Sequence, residues 1–289
     1  MNGKLRLIGI MPLLLLALQP ALRSQSLGPN APTFKGSAIT SGRPLSDAAD
    51  VLQARYGKPV TYEDPVWAWS GDAISSPVRP TAIVPLQRTM AFPAGLTPDE
   101  TPTLDAGVLI QVLSEYEKLN DAPRFRVVTS RFGLHIIPDM VRGADGNLGS
   151  ARSPLDANIA IPRAVRTATA HLGSICDAAA PLADVTLVCS AAGFNEDWFE
   201  KLFAAPQGKL EWGSSGTSAR DALLDLLGGS ATTFSWRLNC VPGAPHGQYC
   251  VLNVVPIPVL KPDRQGIVRV GRLEYDRCST CAPPPRDGR

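Results

Sequence analysis

Six cysteines, three histidines and five tryptophans are the residues of this chain whose types and spacing bear most on chemistry. Cys278 and Cys281 form a CxxC. A redox-active CxxC needs a helix N-terminus to lower a thiol pKa, but the following "APPPRDGR" starts no useful helix. A zinc site needs two more ligands close by, and His135, His171 and His246 are scattered, with no HExxH spacing. A local disulfide, or a link to another chain, is the favoured reading of this pair, with metal and redox roles as alternatives. Cys240 and Cys250 flank an expected hairpin turn, and Cys176 on a helix precedes Cys189 on the next strand. Both pairs are expected as structural disulfides, two bets among the 15 connectivities that six cysteines allow.

The remaining polar motifs point to structure before catalysis. His135 falls in a strand, His171 in a helix and His246 in a turn, so packing or hydrogen bonding is their expected use. "GSSG" at 213–216 lacks the GxSxG frame of a nucleophile elbow. No SxxK, phosphate loop or dinucleotide fingerprint is present, so no catalytic, cofactor-binding or metal-ligating residue is expected. "DGN" at 145–147 lacks the ligand series of a calcium loop and reads as a turn. Trp67 and Trp69 in "PVWAW", and Trp198 in "NEDWFEKLF", lie in irregular segments and are candidate binding anchors if exposed. Trp212 and Trp236 share with them the alternative of filling a core.

These residues need elements to hold them. Leu45, Ala48, Ala49, Leu52 and Tyr56 recur at helical spacing, with Ser46 as the expected cap and Gly57 as the stop. "PVTYED" then alternates as a strand. Residues 65–102 are Pro-rich, with short strand-like pieces at "TAIVPL" and "TMAFP". A second stripe runs from Leu104 to Leu119, and "RFRVVTSRFGLHIIPD" reads as a hairpin. Residues 139–154 have no period and are expected to be a linker between domains. The same order then returns: the strand "NIAIP", a helix over "RAVRTATAHLGSICDAA", the strand "DVTLVCS", a strand at "KLEWGSSG", and a helix at "TSARDALLDLL". That last helix is capped by Thr217 or Ser218 and stopped by Gly228–Gly229, and a hairpin of "TFSWRLNC" and "YCVLNVVPI" follows.

Residues 1–26 have the layout of a secretory signal peptide, a basic start, an apolar core and a small-residue polar end. That core is too short for a comfortable membrane span. Its Lys4, Arg6 and Arg23 have no acidic partner, so a net charge of +2 falls to −1 for residues 27–289. A near-neutral chain gives no electrostatic case for nucleic acid. An even cysteine count in an exported chain favours disulfides.

Residues 158–257 resemble the secretin and TonB N-terminal short domain. The resemblance rests on "NIAIP", "LADVTLVC", "GTSARDALLDLLGGSATTFSWRL" and "CVLNVV". Residues 34–138 look like a looser copy, through "PLSDAADVLQARYGKPVTYED" and "LHIIP". The expected fold is therefore α+β, with two tandem small sandwiches at 34–138 and 155–257, helices on one face of each sheet, and a Pro-rich tail at 258–289. The resemblance implies a periplasmic, non-enzymatic module that contacts envelope partner proteins; the residues themselves give the expectation of no cofactor, no nucleic acid and no transmembrane span after signal cleavage. Two other readings stay open. One is a small-ligand or glycan binder that uses the tryptophans. The other is an envelope hydrolase with its site between the copies, pairing His135 with a carboxylate such as Asp139.

Overall fold

The computed structural model describes residues 38–76, 83–96, 100–101, 103–191, 196–203, 208–230, 232–241, 248–257, 260–262 and 268–270. Residues 1–26, His246 and the Cys278–Cys281 pair lie outside them, as does the side chain of Trp198.

The first described elements are β1 (Ala38–Ser41) and α1 (Pro44–Tyr56). Pro44 stands in the first turn, where its fixed φ and missing N–H suit a helix start. The helix therefore begins ahead of the expected cap Ser46, which is buried within it. Gly57 ends α1 in the left-handed region at φ 61°. All four residues of β2 (Val60–Glu63) are buried. The Pro-rich stretch carries β3 (Ala73–Ser75), β4 (Ile83–Pro85) and β5 (Arg88–Ala91). Asp105 caps α2 (Ala106–Glu117) by accepting the Val108 N–H, and the hairpin of β6 (Arg124–Ser130) and β7 (Gly133–Arg142) follows.

Residues 139–154, expected as a linker, are built onto the sheet. β7 runs on to Arg142 and β8 (Leu148–Ser150) pairs back on it. The turn between them closes through the Gly143 N–H on the Asn147 carbonyl at 2.9 Å, while Asp145 accepts from Asn147. Ser153 then caps a single 3₁₀ turn at Pro154–Asp156.

In the second half β9 (Asn158–Thr167) leads into α3 (Ala168–Ala183). The helical period over 163–176 overreached, because Val165 and Arg166 pair with Glu211 and Leu210 across a ribbon and Thr167 caps α3. The first amides of α3, at Ala168 and Thr169, are also held by the Glu200 carboxylate at 2.7 and 2.8 Å. β10 (Val185–Ala191), α4 (Glu196–Lys201), β11 (Lys209–Ser218) and α5 (Ala219–Gly228) come next, the last capped by Ser218. β12 (Phe234–Val241) and β13 (Gln248–Pro256) form the closing hairpin, and β14 (Leu260–Pro262) pairs with β15 (Val268–Val270).

The same pairings occur in both halves. The strand after the first helix lies parallel to the last strand of the hairpin, which is antiparallel to its partner: β2–β7–β6 and β10–β13–β12. The other long strands make antiparallel ribbons, β1–β5 and β9–β11. The two three-stranded groups do not stand apart. β12 runs parallel beside β2, giving one sheet of order β10-β13-β12-β2-β7-β6, with β8 on β7.

Arg237 aligns with Tyr62, and Leu238 with Glu63. Aligned residues share a face and successive residues alternate. Tyr62, Val60, Leu134 and Ile136 pack with α1 and α2, whereas Leu238, Trp236, Leu252 and Val254 pack with α3 and α5. The first pair of helices therefore covers one side of the shared sheet and the second pair the other. The class is α+β, with a single sheet joining the halves. No helix among the described residues is long and apolar enough to cross a membrane.

Candidate functional site

Charged residues concentrate where β2 meets β12. Glu63 is fully buried and receives Arg220 of α5 in a bidentate pair, Nε to Oε1 at 2.8 Å and Nη2 to Oε2 at 2.6 Å. Arg220 also reaches Asp156 at 2.8 Å, and the Trp236 indole N–H donates to Glu63 at 3.2 Å. Burial opposes the Arg220 charge, but Glu63 and Asp156 outweigh it and raise the guanidinium pKa above its ordinary value. On the opposite face Arg237 donates to the Val60 carbonyl at 2.6 Å and to Asp50 of α1 at 2.5 Å. Arg43 binds Asp64 and the Cys240 carbonyl, both at 2.7 Å, while Asp64 accepts the Cys240 N–H at 2.8 Å. The two fully buried carboxylates, Glu63 and Asp64, are both compensated, as burial requires.

His135 sits on this floor. Its strand β7 lies between β2 and β6, and His135 aligns with Thr61 on one side and Val128 on the other. Nδ1 is 2.9 Å from the Thr61 hydroxyl and Nε2 is 2.7 Å from the Ser130 hydroxyl. The ring stacks on Trp236 with centroids 5.1 Å apart. Burial depresses its pKa to about 4, with Arg220 pushing the same way and Glu63 and Asp221 pulling back. The imidazole is thus neutral at ordinary pH. Ser130 also accepts the Phe132 N–H at 3.1 Å, so its oxygen is held by both the turn amide and the His135 contact.

Ser130 ends β6 at the hairpin turn, and that turn forms one wall of a cavity of about 430 Å³. Phe132 and Leu224 supply apolar lining, and Ser214, Thr217, Asp221 and Asp225 supply polar lining from β11 and α5. Asp221 takes the Ser218 hydroxyl at 2.7 Å and Asp225 the Trp212 indole N–H at 2.9 Å. A Cβ on Gly228 would meet the Phe132 ring at 2.5 Å, so this glycine admits the hairpin tip as well as lying at the helix end. The cavity therefore lies between the halves of the chain, with the Ser130–His135–Thr61 row leading from it into the core.

The expected site residues fall in several places. Cys176–Cys189 and Cys240–Cys250 are disulfides, the second directly opposed across β12 and β13. Trp67 is only 6% exposed and belongs to the core of the second half, with its carbonyl taking a hydrogen bond from Gln248. It cannot be a surface anchor. Trp69 is half-buried, covered by the Arg142 guanidinium at 4.5 Å. Asp139 is exposed beside Arg126 and makes no contact with His135, whose partners are two hydroxyls instead. His171 is buried, with Nε2 donating to the Leu210 carbonyl at 3.0 Å. Sequence reasoning missed Ser130, Thr61, Glu63 and Arg220. The one signal for them was an acidic pair, Glu63–Asp64, ending a strand that is otherwise built for burial. Among the described residues no group of three His, Cys, Asp or Glu is arranged to hold a metal.

Comparison with family models, with curated proteins and with solved structures finds no match to this chain.

Proposed function

We propose that this protein is an exported component of the bacterial cell envelope, built from two modules like the secretin and TonB N-terminal short domain, and that it binds a partner protein along its sheet. The observation that carries the reading is the edge strand β10. Among the described strands it pairs only with β13, and its sequence VTLVCSA contains no charge or proline to discourage another strand. Val188 on it and Tyr249 on β13 are 40% and 41% exposed. The opposite edge β6 carries Arg124 and Arg126, the usual protection. The Cys176–Cys189 disulfide ties β10 to α3, which favours a rigid edge for strand addition. Two disulfides suit an oxidising compartment. The repeated strand pairings support the two-module reading. The glycan reading loses its first anchor to the burial of Trp67.

A photocrosslinking residue at Thr186 tests the proposal in intact envelopes. Thr186 should give a discrete adduct that the same probe at exposed Asp177 on α3 does not. Equal or absent crosslinking at the two positions overturns the reading.

A further inference from the structure

We propose that Ser130 is a nucleophile, activated by His135, that accepts acyl groups from small carboxylic esters bound in the cavity between the β6–β7 turn and α5. This activity is independent of the sheet-edge reading.

The geometry is that of an activated nucleophile: a serine hydroxyl 2.7 Å from an imidazole nitrogen, and the other ring nitrogen held by a third group, Thr61, at 2.9 Å. The ring cannot swing away, because it is 1% exposed and stacked on Trp236. Ser130 itself opens into the cavity. The proposed step uses the tautomer in which Nδ1–H donates to the Thr61 hydroxyl and the Nε2 lone pair takes the Ser130 hydroxyl proton, and both contacts are short enough to serve it. A structural serine at a hairpin turn needs only the amide contact, and a buried histidine needs no opening to a cavity. Both conditions coincide here.

The step balances without a further reagent. As Ser130 Oγ bonds to the ester carbonyl carbon, His135 Nε2 takes its proton. When the adduct collapses, the carbon–oxygen bond to the alcohol breaks and the alcohol leaves with that proton. Water then attacks the acyl carbon and gives a proton to His135, which returns it to Ser130 Oγ as the carboxylic acid departs. The protonated ring that exists between these transfers is opposed by burial and by the Arg220 charge and is favoured by the charges of Glu63 and Asp221, so it is a short-lived species. Arg131 is the one cation among the described lining residues and the group suited to charge developing on the carbonyl oxygen.

The lining also sets the class of ester. About 430 Å³ holds a small ligand. Phe132 and Leu224 suit a short aliphatic acyl group, while Ser214, Thr217, Asp221 and Asp225 suit a leaving alcohol rich in hydroxyls. An O-acyl ester of a polyhydroxylated alcohol fits both sides.

The test uses the full chain with its disulfides intact, a fluorophosphonate probe, and p-nitrophenyl acetate as a reporter ester. One phosphonyl adduct per chain should form and map to Ser130. Ester hydrolysis should fall by roughly 100-fold or more in Ser130→Ala, and Ser114→Ala on exposed α2 should match the unaltered protein. Absence of an adduct, or an adduct that persists in Ser130→Ala, overturns the proposal. If Ser130→Ala does not melt with the unaltered protein, Ser130→Cys keeps a nucleophile beside His135. Its alkylation by iodoacetamide should outrun that of free cysteine at neutral pH, and a rate no faster than free cysteine counts equally against the proposal.

Discussion

Arg220 and Glu63 stand 157 positions apart in the chain and meet in a bidentate ion pair at 2.6 and 2.8 Å, fully screened from water on the Glu63 side. The pair crosses from α5 of the second half to β2 of the first. It makes the second half part of the first half's solvation, since Glu63 receives its cation from α5, whereas Arg220 also holds Asp156 of its own half.

Arg220→Ala therefore leaves Glu63 buried with only an indole N–H, and it should destabilise the protein by about 3–5 kcal/mol in urea unfolding. Arg220→Met combined with Glu63→Gln should recover a large part of that loss, because the uncompensated charge goes with it. Both halves should unfold in one transition by tryptophan fluorescence and by far-ultraviolet circular dichroism. Two separated transitions would show that the shared sheet is not a cooperative unit.

His135 sets a pH dependence. Its pKa is about 4 in the fold and 6.5 ordinarily, so the unfolded chain takes up a proton that the folded chain refuses. The stability this histidine contributes is complete above about pH 6.5 and drains as pH falls toward about 4, in total about 3 kcal/mol. A His135→Gln variant should lack that component, and the difference between the two pH profiles isolates it. Proton NMR offers a direct check: the imidazole signal that His135→Gln removes should not titrate near 6.5, and one that does contradicts the buried, neutral ring.

Gly213 lies at an irregularity in the β9–β11 ribbon, where a Cβ would come within 2.6 Å of the Arg163 Cα and 2.9 Å of the Ile161 carbonyl oxygen. Backbone cannot give way as a side-chain tip can. Gly213→Ala should cost about 1–3 kcal/mol by overpacking, in spite of the lower chain entropy that alanine brings to the unfolded state. An unchanged melting temperature would refute the close approach.

Opening the Cys176–Cys189 link in a Cys176→Ser, Cys189→Ser variant should remove about 2–4 kcal/mol. Amide exchange should quicken first along β10, the edge that the link ties to α3. Exchange spread evenly over the sheet would contradict that placement.

Local signals in the chain were read well because they are local. Gly57 and Ser218 act within a turn of their own helices, and Cys240 faces Cys250 across ten positions. The reading failed where a short-range pattern was overruled by a neighbour. Helical spacing ran through 163–167 until β11 claimed it as a strand, and Pro44 in the first turn moved the start of α1 ahead of Ser46. The Gly- and Asp-rich passage at 139–154 looked unstructured because a two-stranded extension with an Asp-stabilised turn has little hydrophobic period to display. The candidate site was least legible of all. His135 offered no motif: Ser130 reaches it across the short β6–β7 turn, but Thr61 comes from 74 positions away through a parallel alignment that no spacing encodes.

The parallel contact of β2 with β12 also orders events in time. Arg237 follows Val60 by 177 positions, so a chain delivered from its N-terminus presents the β2 edge long before the strand that covers it exists. Trp67 likewise waits for a core that is made last. Contacts of such long range are slow to close. In the interval the first half carries an open strand that ends in a carboxylate, Glu63, still without its cation, a state that invites mispairing at high concentration. Folding of this protein should therefore be limited by arrival of its C-terminal hairpin, and a holding chaperone would have its greatest effect just before β12 and β13 emerge.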